Sequence, residues 1–159
     1  MKILFLLLLA SPFSFFAQQT TNNLPEINAG MIRFVNEFMG KKVGTGECWD
    51  LVQIPLDELG ADWDGDAVFG KKLDPKKDEI LPGDIIQFER VVVKFIEGKM
   101  EMTENYAHHT AIVFQVISPE NYKIAHQNTG YAGKKVIVSP LILSNVKKGK
   151  MTFYRPVKK

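Results

Sequence analysis

Four side chains in this sequence have chemistry that packing or solvation does not readily explain: Cys48, His108, His109 and His126. Cys48 is the one cysteine in 159 residues. A lone thiol cannot close an internal disulfide, so it pairs with another chain, stays buried or reacts. Gly44-Thr45-Gly46-Glu47 before it is a loop signature, and Cys48-Trp49-Asp50-Leu51 opens an apolar-periodic segment. That pattern puts the sulfur in the first turn of a helix, where unpaired N–H groups and the helix dipole favour negative charge. A thiolate there attacks carbonyl carbon, and the same N–H groups stabilise the oxyanion that forms.

Such a nucleophile needs a proton carrier. His109 begins the β-branched run Thr110-Ala111-Ile112-Val113, and His126 ends the run Tyr122-Lys123-Ile124-Ala125. If these strands pair antiparallel, the start of one lies beside the end of the other, and the imidazoles are neighbours on one rim. His109 is then the general base and His126 the group that fixes its tautomer. His108 is the alternative base, because adjacent strand residues point to opposite faces. Gln127 and Asn128 are candidate oxyanion or substrate contacts. Trp49 is a candidate contact whose plainer role is packing, and Tyr106 and Tyr131 are candidates for the cleft rim. Asp50 is expected to cap or to form a salt bridge. Without a C-x-x-C or H-E-x-x-H pattern, and with His108 and His109 awkwardly adjacent for one tetrahedral ion, no metal site is expected. Thiol acyl transfer also needs no cofactor.

The elements that must position these groups follow from periodicity. Ile27, Met31, Ile32, Val35, Phe38 and Met39 have helical spacing that Gly40 ends. A second helix runs from Cys48 to Leu59, with Pro55 expected to kink or split it. Ala61 to Gly83 is expected to be a long surface connection. Roughly five strands follow, at Asp84–Phe95, Thr110–Ile117, Tyr122–Gln127, Val136–Val138 and Met151–Tyr154, with a polar stretch leading to His108. Helices first and an antiparallel sheet second predict a single α+β domain.

Met1 to Ala17 has a basic residue, an apolar run and a small residue at its end, the pattern of a secretory signal peptide. The expected organisation is a signal peptide at 1–17, a flexible lead-in at 18–28 and the domain at 29–157. This predicts an exported bacterial protein, periplasmic or secreted, with no membrane span. The chain carries 20 basic and 18 acidic side chains. That near-balance predicts no strong attraction to nucleic acid. The basic cluster from Lys147 to Lys159 is expected to be a solvated surface and tail, with a weak attraction to an anionic cell-wall polymer as the alternative. A monomer is expected.

The order of motifs adds a family. A cysteine at a helix start is followed by Pro82-Gly83-Asp84-Ile85-Ile86-Gln87-Phe88, then by His109-Thr110-Ala111-Ile112-Val113, then by a polar residue closing the next strand. This order resembles the NlpC/P60 and CHAP families of papain-like cysteine peptidases and amidases over roughly Met31 to Pro156. The resemblance implies their papain-like fold, with Cys48 as nucleophile, His109 as base and His126 as the third polar residue. It places Asn128 where some CHAP members carry an additional asparagine and makes Asp84 a structural turn residue. It implies hydrolysis of amide bonds, with peptidoglycan peptides as the expected substrate. Trp49-Asp50-Leu51 after the cysteine departs from the small residues common in those families. The long segment Val91 to Ala107 would extend the rim beside the site. Two other functions use the same residues: a non-catalytic module that binds cell-wall peptide or protein, and an acyltransferase or deamidase.

Overall fold

The computed structural model describes residues 23–159. The expected signal peptide lies outside the described residues. Helix α1 spans Glu26–Phe38 and α2 spans Asp50–Glu58. α1 therefore begins within the expected lead-in. It buries Ile27, Met31, Ile32 and Val35 on one face, each worth about 1.5–3 kcal/mol when removed from water. Pro55 sits inside the nine-residue α2. It does not split this short helix, whose buried Leu51, Val52 and Leu56 hold it to the core.

Eight strands follow: β1 Ala61–Asp62, β2 Lys71–Leu73, β3 Ile85–Glu97, β4 Met100–Ser118, β5 Asn121–His126, β6 Ile137–Ile142, β7 Val146–Arg155 and β8 Val157–Lys158. Six make one antiparallel sheet in the order β2-β7-β3-β4-β5-β6, and β1 pairs with β8 apart from it. The architecture is the expected α+β, with more strands than sequence patterning gives. Ala61 to Gly83 is not a plain surface connection. It supplies β1 and β2, and it buries Phe69 completely against Trp49, Trp63 and Tyr154.

Alternation along the strands divides the core in two. Ile85, Ile112, Ala125 and Tyr154 meet α1 and α2 on one face. Ile86, Phe88, Ala111, Val113, Ile124 and Phe153 form a second core on the other.

The polar stretch expected before His108 is strand. β3 and β4 run on as a long hairpin from Val91 to Ala107. It turns over at Arg90, a non-glycine residue with φ of 51°. Gly149 of β7, at φ 95°, lies against the Arg90 carbonyl, where a Cβ would collide. Beyond this point alternation resumes one residue out of phase, so Phe88 and Val91 both face the second core. In β4 the same shift lets Tyr106 and His109 share that face.

Asp84 fixes the start of β3. Its fully buried carboxylate accepts from Leu81 N at 2.8 Å, from Asn28 Nδ2 at 2.9 Å and from both Nε and Nη2 of Arg155. Burial is tolerated because the charge is paired and hydrogen-bonded.

Candidate functional site

Cys48 sits in the turn entering α2. Trp49 already has helical dihedrals (φ −58°, ψ −45°), and Asp50 N donates to Glu47 O at 3.1 Å. The thiol is thus placed at the helix tip, one turn position ahead of the expected first helical turn. The preceding loop is wound around one oxygen. Asp50 Oδ2 accepts from Thr45 N, Thr45 Oγ1, Gly46 N and Glu47 N at 2.7–3.1 Å. Burial pushes the Asp50 pKa up, and these bonds outweigh it, so the carboxyl is held below its usual range.

His109 and His126 are brought together. His109 Nε2 and His126 Nδ1 are 3.1 Å apart, and His126 Nε2 lies 2.8 Å from Ser139 Oγ on β6. The register explains this: Ile112 pairs with Ala125, so the start of one inner run flanks the end of the other. Tyr106 stacks on His109 with centroids 5.0 Å apart and 28° between planes, and Phe88 meets the ring edge at 5.9 Å. Both imidazoles are buried, at 5% and 1% exposure. Burial, reinforced by the His108 charge, lowers the His109 pKa to about 4. Burial and then the His109 charge hold His126 lower still. Both rings are therefore neutral near pH 7, and each shares a hydrogen bond in one chain that ends on the Ser139 hydroxyl, which donates or accepts according to the tautomer. His109 Nδ1 is the ring nitrogen outside that chain. Ser139 has no motif around it that singles it out in sequence, whereas Tyr106, expected at the cleft rim, is found stacked on His109.

His108 faces away from that pair. Its Nδ1 hydrogen-bonds Glu89 Oε1 at 2.9 Å on the opposite face of β4, and its side chain is 62% exposed.

Gln127 is placed otherwise than as a substrate donor, whereas Asn128 lines a cavity with Cys48. Gln127 is wholly buried. Its Oε1 accepts from Val43 N at 3.1 Å, and its amide donates to Val43 O and Glu47 O at 3.0 and 2.7 Å. Both amide hydrogens are engaged, so Gln127 braces the loop and is not free to meet an oxyanion. Asn128 donates to Glu47 Oε2 at 2.6 Å, and Lys134 Nζ reaches Glu47 Oε1 at 2.8 Å. Trp49 packs on Trp63 and Phe69 and donates Nε1–H to Gln53 Oε1.

A cavity of about 1280 Å³ is lined by Cys48, His109, His126 and Ser139 together. Its walls are the β3–β4 hairpin, β6 and the loop carrying Tyr131. It holds a thiol and a neutral imidazole, the components of acyl transfer.

Comparison with known proteins places this geometry in a family. The chain is 30% identical over 141 residues to "Altered inheritance of mitochondria protein 3" of the yeast Debaryomyces hansenii, covering 75% of this chain and 15% of that protein. The chain thus spans about a seventh of the length of this relative. Two solved structures show a weaker similarity. "The crystal structure of Ly7917" has a TM-score of 0.49 at 16% identity, covering 82% of this chain and 62% of the other. "The crystal structure of Ly7917 with the hydrolyzing product of MDP" has a TM-score of 0.47 at 18% identity, covering 81% and 63%.

These matches correct one expectation and narrow another. The exported bacterial localisation, periplasmic or secreted, is overturned, because the named relative is a yeast protein. The NlpC/P60 and CHAP resemblance survives at the level of the cysteine proteinase fold. Residues 21–159 match throughout, and the chain belongs to the family of the AIM3/BBC1 cysteine proteinase-fold domain.

Proposed function

We propose that this domain is a cysteine hydrolase that cleaves amide bonds in peptides, with Cys48 as nucleophile and His109 as base. The observation that carries this reading is the 3.1 Å bond from His109 Nε2 to His126 Nδ1, inside a cavity that Cys48 also lines. With His109 protonated on Nε2 and donating to His126, Nδ1 carries the lone pair that takes a proton. In the first step Nδ1 takes the thiol proton as sulfur attacks the carbonyl carbon. The tetrahedral intermediate collapses to a thioester, and the leaving amine takes that proton from His109. Water, deprotonated by the same nitrogen, then releases the acid and frees the thiol. His126 holds the tautomer throughout, and Ser139 holds His126.

The test is turnover of a fluorogenic peptide panel by the wild type, Cys48→Ala and His109→Ala, with peptidoglycan stem peptides as one arm. Loss of all turnover in Cys48→Ala supports the reading. Full activity in that variant refutes it. Added amine separates hydrolysis from acyl transfer by its product.

A second reading, a non-catalytic peptide-binding module, is favoured by one observation. Among the described residues no hydrogen bond joins the Cys48 sulfur to an imidazole. It predicts binding that survives Cys48→Ala and no turnover by the wild type.

A further inference from the structure

The sheet has an unfilled strand position beside the proposed centre. β4 pairs with β3 from Glu97↔Met100 to Ile85↔Ile112. On its other side it pairs with β5 only from Ile112 onward, because β5 ends at His126. Among the described residues, no strand pairs with β4 on that side from Met100 to Ala111. Every residue from Met102 through His109 lines the cavity. A strand that presented only a face would contribute alternate residues. A consecutive run is what an edge presents, with its main-chain N–H and C=O groups open to the cavity.

This edge has the character of a site. It is long and carries no proline, whereas exposed edges are commonly shortened or blocked to prevent unwanted pairing. It runs directly to His109, and the apolar side chains of Val93, Phe95 and Tyr106 border the same space. An extended backbone laid there would continue the line of β5, form ladder bonds to β4 and turn alternate side chains onto that apolar wall.

We propose that the β4 edge from Met102 to His109 is a strand-addition site that takes an extended peptide and leads it to Cys48. This rests on the hydrolase reading and names its substrate class: an unfolded peptide segment several residues long, rather than a small acyl amide. Discrimination falls on the backbone, with apolar residues preferred at every second position.

The experiment uses the full chain carrying Cys48→Ala and a fluorescein-labelled decapeptide of alternating valine and lysine. Two further series carry N-methyl groups on the valine amides or on the lysine amides. Anisotropy is expected to show binding of the parent peptide. One methylated series should be weakened by about tenfold or more per modified amide, and the other left nearly unchanged, because ladder bonds alternate. No binding, equal weakening of both series or weakening of neither overturns the proposal. So does sedimentation showing that the chain itself dimerises through this edge and that the peptide does not compete. The failure of the hydrolase reading is separately visible. Alternating sensitivity with no wild-type turnover keeps the strand-addition site and sinks the enzyme. Equal kcat/KM for single-residue amides and long peptides sinks the site and keeps the enzyme.

Discussion

Gln127 donates a hydrogen bond to the carbonyl of Glu47 at 2.7 Å, and these two residues are the immediate neighbours of His126 and Cys48. The sheet that holds the imidazoles is thereby tied to the loop that holds the thiol, across 80 residues of sequence. Together with the bonds to Val43, this amide fixes where the sulfur stands relative to β4 and β5. Gln127→Glu keeps the shape and removes both donors, leaving a buried carboxylate against two carbonyls. We expect a loss of about 2–4 kcal/mol in urea unfolding, in line with breaking a buried polar network. Alkylation of Cys48 by iodoacetamide should change rate in the folded variant. Unchanged stability and unchanged labelling would show that the tether is dispensable.

The buried imidazoles set an acid limit on folding. Both have folded pKa values below the ordinary 6.5, His109 at about 4. In the unfolded chain they take protons first as pH falls. Their contribution is thus present above about pH 6.5 and is lost as pH falls toward 4. Urea midpoints should decline over that window, and His109→Asn with His126→Asn should flatten the decline. A midpoint that stays level between pH 7 and 4.5 would contradict neutral burial. The same value predicts an acid limb in kcat/KM near pH 4 for any peptide the domain hydrolyses.

Removing the end of the relay tests its direction. In Ser139→Ala, His126 Nε2 loses its 2.8 Å partner, and the His126 ring is left with one unmade bond at about 1–3 kcal/mol. Thermal melts should fall by several degrees, and kcat should fall by about tenfold with KM little changed, since the hydroxyl acts on tautomer and not on substrate. Ser139→Thr should recover part of both. A rise in KM alone would instead make Ser139 a substrate contact.

Arg155→Met isolates the Asp84 carboxylate. Two of its hydrogen bonds vanish while Leu81 N and Asn28 Nδ2 remain. Breaking a buried pair from one side costs about 3–5 kcal/mol, and urea denaturation should report a loss of that size. Asp84→Asn with Arg155→Met should lose less than the sum of the single changes, because each removes the same interaction. Additive losses would mean the two residues act separately.

The sequence alone determined the order of parts. Helical and alternating periods, with glycine and proline stops, specified two helices and then an antiparallel sheet, because burial of one face imposes a period. Residue chemistry also singled out a lone thiol at a helix tip and imidazoles at the ends of two inner runs. Which polar groups are spent and which remain open follows from long-range contacts alone. Gln127 looks like a free amide in sequence, yet both its amide hydrogens are taken by Val43 and Glu47, partners 80 or more residues away. Ser139 and Tyr106 join the histidines through register and through the turn at Arg90, which no local motif encodes. The polar stretch before His108 became strand because β3 supplies its ladder partners. Hydrogen-bond satisfaction and strand register are properties of distant pairs, and a local pattern carries no record of its distant partner.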